Sequence, residues 1–338
     1  MTFYRPSFTI RRVRVAALVG PRANDKHLEP FRLSGINLFK GNELDPGDDP
    51  DAVLIFGGDG TVHRQLRALA NSKIPTLVVP TGSGNDFAHA VGIQSFKDAV
   101  NVWRQFTAMR TDARHLRDID LGTITELRER LEPPAEQATL KAVNPRSRMM
   151  GQTIMQSNLH HVTDRMPHHH YFCCIAGAGL DADANKRANA MPAWLRSRGG
   201  YVIAALRALA AFEAPQISVS TWQNDSWETR CWGKSLLCAF ANAPAYGDGM
   251  KMAPGAQLDD GLLNVCYVRN IAKVKVIRFL PTIFSGAHVE LEPVTYFQTS
   301  NLVLESEPPL EVYADGEYIC RTPVEAGIAQ GALRVIVP

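Results

Sequence analysis

Ala52-Val53-Leu54-Ile55-Phe56 is an unbroken apolar run of strand length, and it passes directly into Gly57-Gly58-Asp59-Gly60-Thr61. Val62–Ala70 follows, with apolar residues at helical spacing. A short continuous run of this kind suits a strand buried on both faces, as in a parallel sheet. Strand, glycine turn and helix in that order therefore predict an α/β arrangement. Val13–Val19 and Thr76–Val79 read as two more strands, and Phe87–Val91 opens another helix. The alternation predicts a doubly wound N-terminal domain.

Glycines at a strand-to-helix turn let a ligand approach the backbone closely. The helix N-terminus behind them offers unpaired N–H groups and a positive dipole end, which suit a phosphate. Thr61 adds a hydroxyl donor. Asp59 repels a bare phosphate, so a carboxylate there points to work through Mg²⁺ or to general base chemistry. The spacing is neither a Walker A loop nor GxGxxG. Taken alone, a glycine turn with an Asp helix cap would explain it. A second loop, Pro80-Thr81-Gly82-Ser83-Gly84-Asn85-Asp86, also follows a strand and opens a helix. Asn85 or Asp86 would serve as ordinary caps. However, loops at the carboxyl ends of neighbouring parallel strands line one crevice, and two of them describe a slot for a nucleoside triphosphate.

Residues 125–168 change character to polar and proline-interrupted sequence, expected to be a loop insertion. His160, His161, His168, His169 and His170 cluster at its end, as an exposed loop or a metal trap. Beyond it come YFCCIAG, QISVSTW, SLLCAFANA, LLNVCYV, NLVLES, LEVYA and ALRVIVP, broken by one helical stretch, Gly200–Phe212. Strands joined mainly by turns predict an antiparallel β-sandwich-like domain. The expected division is 1–118 for the α/β domain, completed by 322–338, and 119–321 for the β-rich domain, with a cleft between them.

Composition removes other classes. Lys plus Arg (36) nearly balance Asp plus Glu (34), a net charge of +2, unlike a nucleic-acid binder. No apolar run approaches the ~20 residues of a membrane span. The twin arginine before Val15–Gly20 mimics an export signal, but that apolar stretch is shorter than a signal core. The six cysteines lack CxxC spacing and read as buried free thiols in a reducing cytoplasm.

GGDGT followed by P-T-G-S-G-N-D-F-A resembles the diacylglycerol kinase catalytic-domain family, which includes bacterial soluble lipid kinases and sphingosine kinases and is related to NAD kinases. Ile119-Asp120-Leu121-Gly122, Phe172–Gly179 with Asp181, Asn242, Gly247–Met250, Pro254-Gly255-Ala256, Leu258–Leu262, Asp315-Gly316-Glu317 and Leu333–Pro338 continue the resemblance in order. It implies an ATP-dependent lipid kinase passing the γ-phosphoryl to a lipid hydroxyl, with Asp59 acting on Mg·ATP or the acceptor. Asp315 or Glu317 would deprotonate that hydroxyl. A Mg²⁺ would sit on the Asp260 carboxylate and the carbonyls of Gln257 and Leu262. Val19–Asp25 departs from the family's first nucleotide loop. An NAD kinase-like phosphotransferase and a catalytically degenerate binding relative are the rival readings. The expected partner is lipid at the inner membrane face, met by Arg187, Trp194, Arg196 and Arg198 beside an exposed apolar turn. A homodimer is left open.

Overall fold

In the computed structural model the described residues are 13–45, 47–108, 113–127, 169–189, 207–247 and 249–338. The expected central strand is β3, Ala52–Gly57, with all six residues buried. It pairs in parallel with β1 (Val13–Val19) on one side and β4 (Thr76–Pro80) on the other, while β1 also pairs in parallel with β2 (Ile36–Gly41). Side chains on both faces of β3 are thus withdrawn from water, which its uninterrupted apolar sequence requires. Helix α2 (Asp59–Leu69) buries Val62, Leu66 and Leu69, one stripe at helical spacing. Two more helices, α3 (Asp86–Ala90) and α4 (Phe96–Ala108), complete this layer.

Two long strands join the α/β part to the rest. β5 is Leu116–Glu126 and β15 is Val324–Ile336, and they pair antiparallel from Val324–Glu126 to Ile336–Leu116. β15 also pairs in parallel with β4 through Val335 and Thr76. The expected boundary at 118/119 therefore falls inside one continuous strand. The insertion expected from residue 125 begins later, since β5 runs to Glu126.

The sandwich grows from the other edge of β15 through β12 (Asn301–Glu307), β8 (Gln216–Gln223) and β9 (Ser226–Ala241). β9 is 16 residues long and belongs to both layers. Its first part pairs with β8, and Ser235–Ala241 pairs with β10 (Leu263–Arg269). Gly233, at φ +142, sits at the changeover, where a backbone outside the ordinary L-residue regions favours glycine. The second layer is completed by β7 (Ile175–Gly179), β11 (Val294–Thr299), β13 (Glu311–Ala314) and β14 (Glu317–Arg321). Short β6 (His170–Phe172) pairs with β5. Ile217, Val219, Leu302 and Leu304 of one layer meet Val265, Phe240 and Val312 of the other in one core. All six cysteines are free and buried, as expected.

Asp120 pins the junction. Its buried carboxylate accepts the amide of Gly331, in the bulge of β15, and the amide of Gly261, in the Asp259-Asp260-Gly261 turn, both at 2.7 Å. Replacing Asp120 by Ala strands two buried amides and is expected to cost about 2–4 kcal/mol, while Asn, which keeps one acceptor, costs less. Urea unfolding of the two variants checks the order. Equal stability of Ala and wild type would remove Asp120 from this role.

Candidate active site

The two glycine loops meet in space. A Cβ added to Gly82 would fall 2.5 Å from the Gly58 Cα, and one added to Gly58 would fall 3.1 Å from the Gly82 Cα, so the contact excludes a side chain at Gly82 and crowds one at Gly58. Asn85 adopts a left-handed backbone (φ +62), and its Oδ1 accepts the Gly82 amide at 2.9 Å. Asn85 thus shapes the second loop without lining the space in front of it. The altered first loop joins them: the Gly20 amide donates to the Phe56 carbonyl at 2.8 Å, beside Thr61.

A cavity of about 560 Å³ opens where these loops face the sandwich. Gly57, Gly58, Asp59, Gly60, Thr61, Thr81, Gly82, Ser83, Gly84 and Asp86 all line it, together with Asp315 and Glu317. Sequence reasoning missed the lining arginines Arg22 and Arg64, and Asn185, Tyr246 and Gly247 from the sandwich side. The hydroxyl of Thr81 is buried without a hydrogen-bond partner in the protein. A buried unsatisfied donor is uncommon, and in a residue that lines this cavity it is available to a ligand or a water. The fit to a phosphate-bearing ligand rests on that hydroxyl, on the open amides of two glycine loops and on the two arginines.

The carboxylates play different parts. Asp59 opens α2, but its Oδ1 accepts the Phe87 amide of α3 at 3.0 Å, so it caps the neighbouring helix. Burial raises its pKa, the amides of Phe87 and Asp86 oppose this, and the charge of Asp315 adds to it. Asp86 reaches across the cleft, where its Oδ2 accepts the Gly247 amide at 2.6 Å. Asp315, with no exposed side-chain surface, is enclosed. Its Oδ1 accepts the amides of Cys174 and Ile175 at 2.9 and 3.2 Å, and its Oδ2 accepts the Cys173 amide at 2.8 Å. The Cys173 thiol donates to Oδ2 at 3.3 Å, and His63 Nδ1 lies 3.1 Å from the same oxygen. Enclosed in this way, Asp315 is a poor candidate for the base and a good anchor for its turn. Glu317 is exposed, and its Oε1 lies 3.0 Å from the position a Cβ on Gly60 would take. It therefore stands against the N-terminus of α2, whose dipole favours a carboxylate.

Cys173, Cys174 and Asp315 bring potential ligand atoms within 4.8 Å of one another, although their cysteines lack a metal spacing in sequence. Burial pushes the Cys173 thiol well up. The Cys173 contact pulls Cys174 down, but burial and the Asp315, Asp59 and Asp86 charges outweigh it and push it up to about 12. In the structure the three are joined by hydrogen bonds, the Cys173 thiol donating to Asp315 and lying 3.9 Å from the Cys174 sulfur.

Asp260 does not line the cavity. Its Oδ1 accepts the Leu262 amide at 3.0 Å, and its Oδ2 is 3.5 Å from Gln298 Nε2. Asp259 is taken by Arg117 at 2.7 Å. Arg187 is paired with Asp183 at 3.0 Å within α5 (Leu180–Asn189). Trp194, Arg196 and Arg198 lie outside the described residues, as do His160, His161 and His168. His169 Nδ1 is 2.8 Å from Thr125 Oγ1, and His170 is in β6.

For His63, burial lowers the pKa, but the hydrogen bond and charge of Asp315, with Glu317 behind, outweigh it and raise it. For Asp315, burial raises it, while the His63 bond and charge and the Cys173 and Cys174 amides prevail and lower it. The raised His63 therefore contributes stability that is complete below its unfolded value of about 6.5 and lost as pH rises through the folded value. The lowered Asp315 contributes stability present above about 3.9 and lost as pH falls through its folded value. The melting temperature of wild type should exceed that of His63→Gln most between about pH 4 and 6.5, with the gap narrowing at higher pH. A gap that stays constant up to pH 9 would mean that His63 is bonded as the neutral ring.

Comparison with known proteins agrees with this architecture. The diacylglycerol kinase catalytic domain matches residues 40–124, and the YegS C-terminal NAD kinase beta sandwich-like domain matches residues 174–337. A diacylglycerol kinase of Mycobacterium tuberculosis is 29% identical over 328 residues, covering 97% of this chain and 86% of its own. A diacylglycerol kinase of Bacillus subtilis is 22% identical, covering 85% and 78%. In fold, the crystal structure of a diacylglycerol kinase from Bacillus anthracis superposes with a TM-score of 0.59 at 15% identity, covering 96% of this chain and 97% of that one. Together the two matches span the glycine loops, the linking strands and the sandwich, and they mark the chain as a kinase built from a diacylglycerol kinase catalytic domain and a YegS-type sandwich domain.

Proposed function

We propose that the protein is a lipid kinase that transfers the γ-phosphoryl of ATP to a hydroxyl of a diacylglycerol-like or sphingoid lipid. The observation that carries this reading is the single cavity in which the orphaned Thr81 hydroxyl, both glycine loops, Arg22 and Arg64 face the exposed Glu317. The names of the curated relatives point to a lipid as the acceptor.

In this scheme the loop amides and the N-terminus of α2 hold the triphosphate, and Arg22 and Arg64 offset its charge. Arg22 comes from the first loop that departs from the family pattern, and it places a guanidinium where phosphate oxygens need donors. Glu317 accepts the proton of the lipid hydroxyl, because its carboxylate is the one in the 315–317 turn with room to receive a substrate. Asp315 fixes that turn through His63 and the three amides. Asp59 orients the loop junction through α3 and faces the phosphates. Phosphoryl transfer of this kind depends mainly on positioning and charge neutralisation.

A Mg²⁺ at the Asp259-Asp260-Gly261 turn would be held by the Asp260 carboxylate with the carbonyls of Gln257 and Leu262, an oxygen set suited to a hard cation. It would brace the turn, since Asp260 lies outside the cavity. Under this assignment the melting temperature rises with Mg²⁺ and falls with chelator, and Asp260→Ala abolishes both responses. Indifference of wild type to Mg²⁺ and chelator would overturn the assignment.

Incubation with γ-labelled ATP, Mg²⁺ and a mixed lipid extract should give a labelled phospholipid. Glu317→Gln and Asp59→Asn should each lower kcat about 10²-fold or more with the fold intact. Labelled NADP in a parallel reaction with NAD, and no labelled lipid, would replace this reading with the NAD kinase-like one. Wild-type turnover in both variants would place the chemistry elsewhere.

A further inference from the structure

The segment after β10 turns apolar side chains outward. The helix Lys273–Phe279 and the turn of helix Thr282–Ser285 contain no fully buried residue. Val274 is 78% exposed, Ile277 52% and Phe284 47%. Val276 points the other way and packs against the cluster of Leu180, Ala184 and Leu209. Val274 and Ile277, three residues apart, therefore share one outward face of the helix. Lys273, Lys275 and Arg278 are exposed around them, and no acidic residue occurs between Arg269 and Glu290.

Exposed apolar side chains interleaved with cations, in a segment without acidic residues, are what an interfacial membrane helix presents. A folded partner or a second copy would need a far larger complementary surface, of roughly 800 Å² on each side. A bilayer needs only a few inserted side chains and cations to meet anionic headgroups. The location agrees. Val276 packs on α5, whose Asn185 lines the cavity, and the Ile283 carbonyl accepts the Lys251 amide, just after the Tyr246–Met250 turn whose Gly247 also lines it.

We propose that this face docks the protein on an anionic lipid bilayer, with the cavity mouth beside the membrane. The purpose of the docking rests on the lipid-kinase reading, whereas its binding test does not.

Sedimentation with vesicles of phosphatidylcholine containing phosphatidylglycerol measures the docking directly. Wild type should pellet with these vesicles and be released by high salt. Val274→Glu with Ile277→Glu should bind at least tenfold more weakly. Lys275→Glu with Arg278→Glu, confined to exposed residues, should do the same and keeps the test open if the first pair misfolds. Trp232→Ser removes a 67% exposed side chain from β9 and should leave binding unchanged. Failure of wild type to bind, binding by both double variants as by wild type, or an equal loss in Trp232→Ser would each overturn the proposal. So would a wild-type dimer that dissociates in the double variants while vesicle binding is kept. In activity assays the double variants should lose phosphorylation of long-chain diacylglycerol in vesicles and keep that of water-soluble dihexanoylglycerol. If wild type phosphorylates neither lipid but the sedimentation results hold, the kinase reading fails and the docking face stands.

Discussion

The carboxylate of Asp315 is the contact on which the geometry of the site depends. A buried carboxylate without donors is too costly to persist in ionised form. Here three consecutive amides, Cys173, Cys174 and Ile175, converge on it with His63. The amides belong to the bend between β6 and β7 and to the first residue of β7, the imidazole to α2, and the carboxylate to the turn between β13 and β14. One side chain therefore ties the helix behind the first glycine loop to both strands of the opposing wall. The turn pays for this with a left-handed backbone at Asp315 (φ +49) and again at Gly316 (φ +85). Those two conformations set where Glu317 leaves the turn, so its place against Gly60 follows from the anchoring of Asp315.

The same logic runs through the domain junction. Asp86 takes an amide of the sandwich, and Asp120 takes two amides from separate segments. Asn242 adds to the seam by donating its side-chain amide to the carbonyls of Asp120 and Cys173. With β5 and β15 running through both parts, the cleft walls are joined by backbone pairing as well as by side chains. Large hinge opening would break several buried or partly buried hydrogen bonds at once, together with the pairing of β5 and β15. The wall positions are consequently set by folding, and adaptation to a substrate falls to exposed elements such as Arg22 and Glu317.

Much of the fold was legible because the signals were local. The apolar runs at β1, β3 and β4 coincide with the expected strands, since a buried parallel strand has no polar positions to blur the pattern. The glycine loops were legible for a similar reason, because the close contact of Gly58 with Gly82 leaves no room for a side chain at Gly82 and little at Gly58. Long-range partners were not legible. Nothing in the sequence near Asp315 shows that residues 173–175 satisfy it, and the choice between Asp315 and Glu317 stayed open until their surroundings were known. His63 carried a faint signal, lying four residues after Asp59 and so on the same face of α2. Asp120, Asp86 and the passage of β9 between layers depend on pairings across more than a hundred residues or on one glycine, beyond the reach of periodicity.

In the sequence Asp59 alone looked out of place in a phosphate loop, and the structure adds Asp86, Asp315 and Glu317 to the same cavity lining. Their hydrogen bonds resolve the conflict. The negative charge of Asp86 is shared with the Gly247 amide, and that of Asp315 with three amides and His63. Burial raises the pKa of Asp59, and the amides it accepts as it caps α3 oppose that rise. Against these, Arg22 and Arg64 contribute two full positive charges to the lining. Backbone amides add partial positive charge where the glycine loops expose them. The carboxylate left exposed is that of Glu317, which leaves the turn of the opposing wall and reaches to Gly60 of the first loop. Under the proposed function, an exposed carboxylate beside the loop that would hold the phosphates is placed to take the proton of an acceptor hydroxyl close to the transferred group.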